Sequence, residues 1–170
     1  MSVWPAILVI FAFAVFAVLG VVLAVIDIRT HRLPNRLVLP GYPVAIALFT
    51  TACVAGAPWL SLLRAVIAMG ALFGFYLGLR LLSRSGLGGG DVKLAGLIGL
   101  HLGWLGWAEL AIGAVAAFVL GGLYAVSLLT VGRADRRTRV AFGPWMLVGA
   151  WIGILLSVSL ASVHPPPPIA

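Results

Sequence analysis

Long apolar runs separated by short polar gaps restrict the fold of this chain more than any other feature. The first run covers residues 3–26, and as an α-helix it would rise about 36 Å, enough to cross a bilayer with some tilt. Because the hydrocarbon core offers no water to backbone polar groups, such runs are expected to be helical. Five further runs follow, at residues 38–57, 59–82, 91–104, 107–130 and 144–162. The pattern predicts an all-α polytopic membrane protein with about six transmembrane helices, with Pro40 and Pro43 in the first turns of the second helix, where proline is tolerated.

The composition supports a membrane protein and excludes other classes. The chain is 63% hydrophobic and only 9% charged, and a soluble domain of 170 residues would expose far more polar surface. One membrane domain, residues 1–164, accounts for nearly the whole length, and residues 165–170 form a proline-rich tail. The net charge of +7 does not indicate a nucleic-acid partner, because the basic residues fall in the gaps between apolar runs. The start of the chain lacks the basic region of a cleavable signal peptide, so none is expected.

The basic residues predict how the helices are oriented in the membrane. Ten of the eleven lie in alternate gaps, and only Arg64 lies elsewhere. Because cytoplasmic connections carry an excess of lysine and arginine, these gaps are expected in the cytoplasm and both chain termini on the opposite side. The three groups are Arg29, Arg32 and Arg36; Arg80, Arg84 and Lys93; and Arg133, Arg136, Arg137 and Arg139.

Two of the four acidic residues lie where a membrane disfavours charge. Asp27 ends the first apolar run, and Asp91 follows three glycines between two other runs. An ionisable group near hydrocarbon is costly and is usually retained for a function. Both acids belong to gaps on the same predicted side of the membrane, so they can converge. Two converging carboxylates supply a general base and a general acid for hydrolysis.

Each acid also has a structural alternative. The arginines beside Asp27 suit headgroup anchors, and a salt bridge from Asp27 to Arg29 or Arg32 would explain the acid without catalysis. The glycines before Asp91 suit a flexible linker or a phosphate-binding loop, although the lysine followed by serine or threonine of such a loop is absent. They also permit backbone conformations closed to other residues and a close approach of a substrate chain.

Helix position predicts different roles for the two acids. Asp91 would lie at a helix N-terminus, where the helix dipole favours an ionised carboxylate and hence a resting base. Asp27 would lie at a helix C-terminus in apolar surroundings, which favours the protonated form and hence a resting acid. As a coupled pair, the two carboxyl groups would titrate together.

The remaining chemistry-bearing residues are expected to be structural. Glu109 opens the fifth helix on the other side of the membrane, and Asp135 lies in the arginine-rich gap. His101 is about 15 Å beyond the second acid along an ideal helix, so a place in the core is expected. His31 is closer to the first acid and is expected at the surface. With scattered histidines and one cysteine, Cys53, neither a zinc site nor an internal disulfide is expected.

The motifs together resemble those of the type IV prepilin peptidases, membrane aspartic peptidases of the GxGD type. The resemblance depends on three segments in a fixed order: DIRTHRLPNRL from Asp27, GLGGGDVKL from Gly86, and AFGPWMLVGAW from Ala141. It implies that Asp27 and Asp91 are the two catalytic aspartates. The supporting motif residues that it implies are Arg29, Pro34, Asn35, Gly88, Gly90 and Lys93.

The resemblance implies a membrane aspartic endopeptidase that removes the leader of a prepilin or pseudopilin, a substrate with a basic leader and an apolar helix. It implies a multi-pass protein of the bacterial cytoplasmic (inner) membrane, with the active site facing the cytoplasm and no metal or organic cofactor. The chain is similar to the short, peptidase-only forms that serve Tad/Flp-type pili or related secretion systems. Long members carry an additional N-terminal region with paired cysteines, so methyltransferase activity is not expected here.

A second class of function stays open on the residues alone. A small proton- or cation-coupled membrane carrier would use the buried acids as ion sites. Such carriers place their acids near the midplane of the membrane more often than near one face, where Asp27 and Asp91 are expected. Dependence of leader removal or of ion transport on the two acids would discriminate the classes.

Overall fold

The protein folds into six α-helices over the described part of the chain. The structure, a computed structural model, describes residues 3–82, 87–130 and 141–163, and no strand is found among them. The helices are Trp4–Thr30 (α1), Asn35–Val54 (α2), Trp59–Leu82 (α3), Gly89–Leu105 (α4), Trp107–Thr130 (α5) and Gly143–Val163 (α6). The prediction of an all-α fold is confirmed. The proline-rich tail, Asp135, Arg84 and the arginines between residues 133 and 139 lie outside the described residues.

Four of the helices, α1, α2, α3 and α5, are long and apolar enough to cross a membrane. Their outward faces carry exposed apolar side chains, such as Val18, Leu63 and Val115, which suit contact with lipid. The helix α4 differs, because every residue from 94 to 104 is buried among the other helices. Helix α4 is therefore the central helix of the bundle, and it contacts α2, α3, α5 and α6.

Small residues allow the neighbours of α4 to approach it closely. A Cβ at Gly99 would lie 2.6 Å from the carbonyl oxygen of Ala68, and a Cβ at Gly103 would lie 3.0 Å from the Cα of Ala65. Helices α3 and α4 therefore pack backbone against backbone, as is common in membranes. Helices α5 and α6 pack in a similar way, and α1 contacts α2 and α6.

The prediction that Pro40 and Pro43 lie in the first turns of α2 is wrong. Helix α2 begins at Asn35, before the apolar run, because the carbonyl of Pro34 already accepts the amide hydrogen of Val38 at 3.2 Å. Both prolines therefore lie inside the helix, where each removes one backbone hydrogen bond. Membrane helices tolerate such prolines when neighbouring helices support them.

Arg64, the basic residue outside the predicted cytoplasmic gaps, has a structural role. Its Nε donates to the carbonyl of Gly103 at 2.6 Å, and its Nη2 donates to the carbonyls of Trp104 at 2.6 Å and Leu105 at 2.9 Å. Carbonyls in the last turn of a helix have no partner inside that helix. Arg64 therefore caps the C-terminus of α4 and places a positive charge at the negative end of its dipole.

Candidate active site

The two acids of the motifs come together at one end of the helix bundle. Asp27 lies in the last turn of α1, and Asp91 is the third residue of α4. Both residues are buried, with 4% and 9% of their surface exposed, and their charges interact. This end also holds the first residues of α2 and α6, and we call it the carboxylate end. The structure therefore brings the two predicted carboxylates into one site.

Asp91 is held by the start of its own helix. Its Oδ2 accepts a hydrogen bond from the amide of Gly88 at 3.1 Å, and Gly88 immediately precedes α4. The first amides of a helix lack partners inside it and carry partial positive charge, so they stabilise a carboxylate. The segment before Asp91 thus serves as a helix start that fixes the acid, which disfavours the flexible-linker alternative.

Asp27 is held by a helix that is distant in the sequence. Its Oδ2 accepts a hydrogen bond from the amide of Gly143 at 3.1 Å, and Gly143 is the first residue of α6. Asp27 therefore lies both at the C-terminus of α1 and at the N-terminus of α6, and the second dipole opposes the effect of the first. The assignment of Asp27 as the resting acid, which considers α1 alone, stays a prediction.

The glycines of the site provide space. None of the three glycines before Asp91 has a positive φ, and Gly88 has an extended backbone at φ −70° and ψ 147°. A Cβ at Gly90 would lie 2.6 Å from the Cβ of Leu33, and one at Gly143 would lie 3.5 Å from Leu33 Cδ1. Leu33 therefore packs against the starts of both α4 and α6. The special backbone conformations that glycine permits are therefore not used before Asp91, and a close approach is what excludes a side chain at Gly90.

The supporting motif residues join α2 to α4 beside the acids. The Nζ of Lys93 donates to Oδ1 of Asn35 at 2.8 Å. Asn35 is the first residue of α2 and follows Pro34. This contact therefore connects the start of α2 to the first turns of α4. From the middle of α2, the hydroxyl of Tyr42 donates to the carbonyl of Lys93. These contacts fix the start of the helix that carries Asp91.

The salt-bridge alternative for Asp27 is not supported. Within residues 3–82, 87–130 and 141–163, no ion pair joins Asp27 to Arg29 or Arg32, and both arginines are exposed while Asp27 is buried. His31 is exposed as expected, and its Nδ1 lies 3.2 Å from the backbone carbonyl oxygen of Asp27. The carboxylate of Asp27 faces the bundle interior and the start of α6.

Two residues of α3 lie beside Asp91. Neither of them was assigned to the site from the sequence. Tyr76 is 1% exposed, and both its hydroxyl and the guanidinium of Arg80 interact electrostatically with Asp91. The Arg80 guanidinium also lies so close to Gly89 that a Cβ there would clash with it. Tyr76 and Arg80 are the polar residues of the second half of α3, and their spacing places them on one face of the helix. That spacing is the signal that would have found them.

The other titratable residues lie away from the acids. His101 is buried in the core as expected, where the ring of Phe16 stacks on it at 4.2 Å and the carbonyl of Leu97 lies 2.9 Å from its Nδ1. Glu109 lies in the first turn of α5, at the end of the bundle opposite the carboxylates. Among the described residues, no group of three or more histidine, cysteine or acidic side chains is placed to hold a metal ion.

The arrangement suits acid–base chemistry on a carbonyl group. Two buried carboxylates whose charges interact can divide one proton between them, so that one acts as a base and the other as an acid. The amides of Gly88 and Gly143 hold the two carboxylates at fixed positions. Such a pair is the minimum apparatus for hydrolysis of an amide bond without a covalent intermediate.

Comparison with known proteins agrees with the site. The model of the "Type IV leader peptidase family" matches residues 14–126, which include both acids. Similar curated proteins are prepilin leader peptidase/N-methyltransferases: from Pseudomonas putida, 31% identical over 78% of this chain and 45% of the relative; from Dickeya chrysanthemi, 34% identical over 81% and 48%; and from Escherichia coli strain K12, 33% identical over 78% and 57%.

The relatives are longer proteins than this chain. The chain spans about half the length of the curated relatives it matches. No solved structure matches the chain. The family match covers most of the chain and both segments that carry the acids, and it confirms the resemblance seen in the motifs: this protein belongs to the type IV leader peptidase family.

Proposed function

We propose that this protein is a membrane aspartic endopeptidase that removes the leader peptide of a type IV prepilin-like substrate. One observation carries the proposal: two buried carboxylates, Asp27 and Asp91, converge where α4 and α6 begin, and each accepts a backbone amide hydrogen bond there. The family match and the similarity to prepilin leader peptidases support it. The proposal covers the peptidase reaction alone, because hydrolysis is the chemistry that two carboxylates supply.

In the proposed reaction, the two acids share the proton transfers of amide hydrolysis. The ionised carboxylate removes a proton from a water molecule, whose oxygen attacks the carbonyl carbon of the scissile bond. The protonated carboxyl group donates its proton to the carbonyl oxygen. The group that took the proton from water then protonates the leaving amine, and the C–N bond breaks as the intermediate returns a proton to the other carboxylate. We assign the base to Asp91 and the acid to Asp27, with no metal or organic cofactor.

The substrate that we propose is a prepilin or pseudopilin with a basic leader and an apolar helix, of the Tad/Flp type or of a related secretion system. The peptide bond to be cut would lie at the membrane boundary, which suits carboxylates placed in the terminal turns of helices. A proton- or cation-coupled carrier would more often hold its acids near the midplane. The described geometry therefore favours the peptidase.

The cytoplasmic location of the cut is part of the proposal. Arg29, Arg32, Arg36 and Arg80 flank the carboxylate end, and an excess of arginine marks the cytoplasmic side of a membrane protein. The protein would then be a multi-pass protein of the bacterial cytoplasmic membrane with both termini on the outer side. The lipid bilayer would surround the apolar outer faces of α1, α2, α3 and α5.

Co-expression with a candidate prepilin tests the proposed function. The parent protein is expected to remove the leader, as seen by a shift on a gel and by the mass of the new N-terminus. Asp27→Asn and Asp91→Asn are each expected to slow leader removal by about 10²–10⁴-fold, because each removes one proton-transfer group at constant volume. Glu109→Gln makes the same acid-to-amide change at the opposite end of the bundle and is expected to process normally.

Two outcomes would reject the proposal. Leader removal that persists undiminished in either aspartate variant, at equal protein level in the membrane, would rule out a catalytic pair. Absence of leader removal by the parent protein, together with ion transport in proteoliposomes that requires both Asp27 and Asp91, would favour the carrier instead.

A further inference from the structure

An apolar groove between α1 and α2 has no part in the proposed reaction. Its volume is about 530 Å³, and it is lined by residues of α1 between Phe11 and Val22 and by residues of α2 between Arg36 and Val44. Every residue lining it is apolar except Arg36. Along α1 the groove extends about 16 Å, which is roughly half of the hydrocarbon core of a bilayer. Its length therefore corresponds to one leaflet of the membrane.

The groove is a fixed feature of the packing. A Cβ at Gly41 would lie 3.0 Å from methyl groups of both Leu19 and Leu97, so α1, α2 and α4 already touch at the floor. The helices therefore cannot approach more closely at the floor of the groove. Its walls are open to the outside, where Val18 is 68% exposed and Ala14 is also exposed.

The mouth of the groove at the carboxylate end is positively charged. Arg36 lines it, and Arg29 lies on the same face of α1 as Val18 and Val22, since those spacings are close to whole numbers of helical turns. Both arginines are exposed, and in the part of the chain that the structure describes neither has an ion-pair partner. Pro40 has no amide hydrogen, so the carbonyl of Arg36 also lacks its usual helical partner.

We propose that this groove binds one anionic phospholipid. An acyl chain would fill the apolar length, and the phosphate of the headgroup would lie between Arg29 and Arg36. Arginine suits this role because its planar guanidinium keeps its charge and presents paired N–H donors to phosphate oxygens. The bound lipid would fasten α1 to α2 across the connection that carries Leu33, which packs against the starts of α4 and α6.

The apolar helix of the proposed substrate is the other candidate occupant, and two observations disfavour it. The face of α1 that carries Asp27 runs through the buried residues Gly20 and Leu23, whereas the groove lies on the face of Val18 and Val22. A helix in the groove would therefore not point its end at the acids. The mouth is also positive, as is the leader proposed for the substrate, and like charges repel.

Native mass spectrometry of the purified protein tests the proposal, with an equimolar mixture of palmitoyl-oleoyl phosphatidylglycerol and phosphatidylcholine as the probe. One phosphatidylglycerol per chain is expected to be retained in preference to phosphatidylcholine. Arg36→Gln is expected to lower that retention about fivefold. Ala14→Phe, which fills the groove from an exposed position, is expected to lower it as well.

Matched controls and a label separate this site from general lipid contact. Arg32→Gln and Ala47→Phe make the same changes at exposed residues that do not line the groove, and both are expected to retain the lipid as the parent does. Phosphatidylglycerol with a photoreactive acyl chain is expected to label residues 11–22 and 36–44 of the unaltered protein.

The same measurements define what would overturn the proposal. Equal retention of the two lipids would overturn it, as would unchanged phosphatidylglycerol retention in both Arg36→Gln and Ala14→Phe. A raised KM for a prepilin in Ala14→Phe, with lipid retention unchanged, would overturn it in favour of the substrate helix as the occupant.

Discussion

Two backbone amides, those of Gly88 and Gly143, determine how the carboxylates of the site are presented. Each amide lies where a helix begins, and unpaired donors with partial positive charge there favour an anion. The N-terminus of α6 therefore stabilises the ionised form of Asp27, whereas the C-terminus of α1 destabilises it. The two acids are therefore more alike than their sequence positions predict, and the assignment of Asp91 as the base and Asp27 as the acid stays a proposal about one proton that the coupled pair shares.

At the same scale, Gly90→Ala is expected to slow leader removal at least about tenfold. The added Cβ would lie 2.6 Å from the Cβ of Leu33, so Leu33 or the start of α4, with Asp91, must move. A displacement of about 1 Å at a catalytic group can cost about 10²-fold in rate. The measurement is kcat/KM of the purified protein on a prepilin.

Gly78→Ala is the matched control for this variant. Gly78 lies in α3, where a Cβ would meet nothing within 4 Å, and alanine is the better helix former. Its activity is expected to equal that of the parent protein. Equal activity of the Gly90 and Gly78 variants would show that the contact with Leu33 does not hold the site.

At the scale of helices, the sequence predicts positions better than contacts. Helices α3 and α5 begin and end with their apolar runs, because a membrane requires an uninterrupted apolar segment with its backbone groups paired. Hydropathy does not report caps, so the earlier start of α2 after Pro34 was not predicted. The sequence also did not predict which residues of other helices lie beside the acids, namely Tyr76, Arg80 and Gly143. Packing between distant segments decides which helix faces meet.

The cap on α4 leads to a prediction about stability. Arg64→Met is expected to lower the free energy of unfolding by about 2–4 kcal/mol, because it removes three hydrogen bonds to the last carbonyls of α4 while keeping a long side chain. Arg64→Lys keeps the charge but not the planar set of donors, so a smaller loss is expected. Denaturant unfolding of the purified protein measures both, and a methionine variant as stable as the parent would exclude the cap.

At the scale of the whole molecule, the acids and the groove mouth share one end of the bundle. The end of α1 meets the starts of α2, α4 and α6 there, whereas Arg64 and Glu109 lie at the opposite end. The arginines beside the acids would hold this end in the cytoplasm, and they would also attract an anionic headgroup to the groove. One charge distribution therefore has two expected consequences, orientation and lipid binding.

Cysteine labelling tests the orientation. In a Cys53→Ala background, Thr30→Cys places a thiol at the end of α1, and Pro58→Cys places one just before α3, both at exposed positions. One crossing by α2 separates the two, so each serves as the control for the other. An impermeant maleimide added to intact cells is expected to label the thiol at position 58 and to reach position 30 only after the membrane is permeabilised. The reverse pattern would place the carboxylates outside the cytoplasm, and labelling of both thiols in intact cells would mean that α2 does not cross.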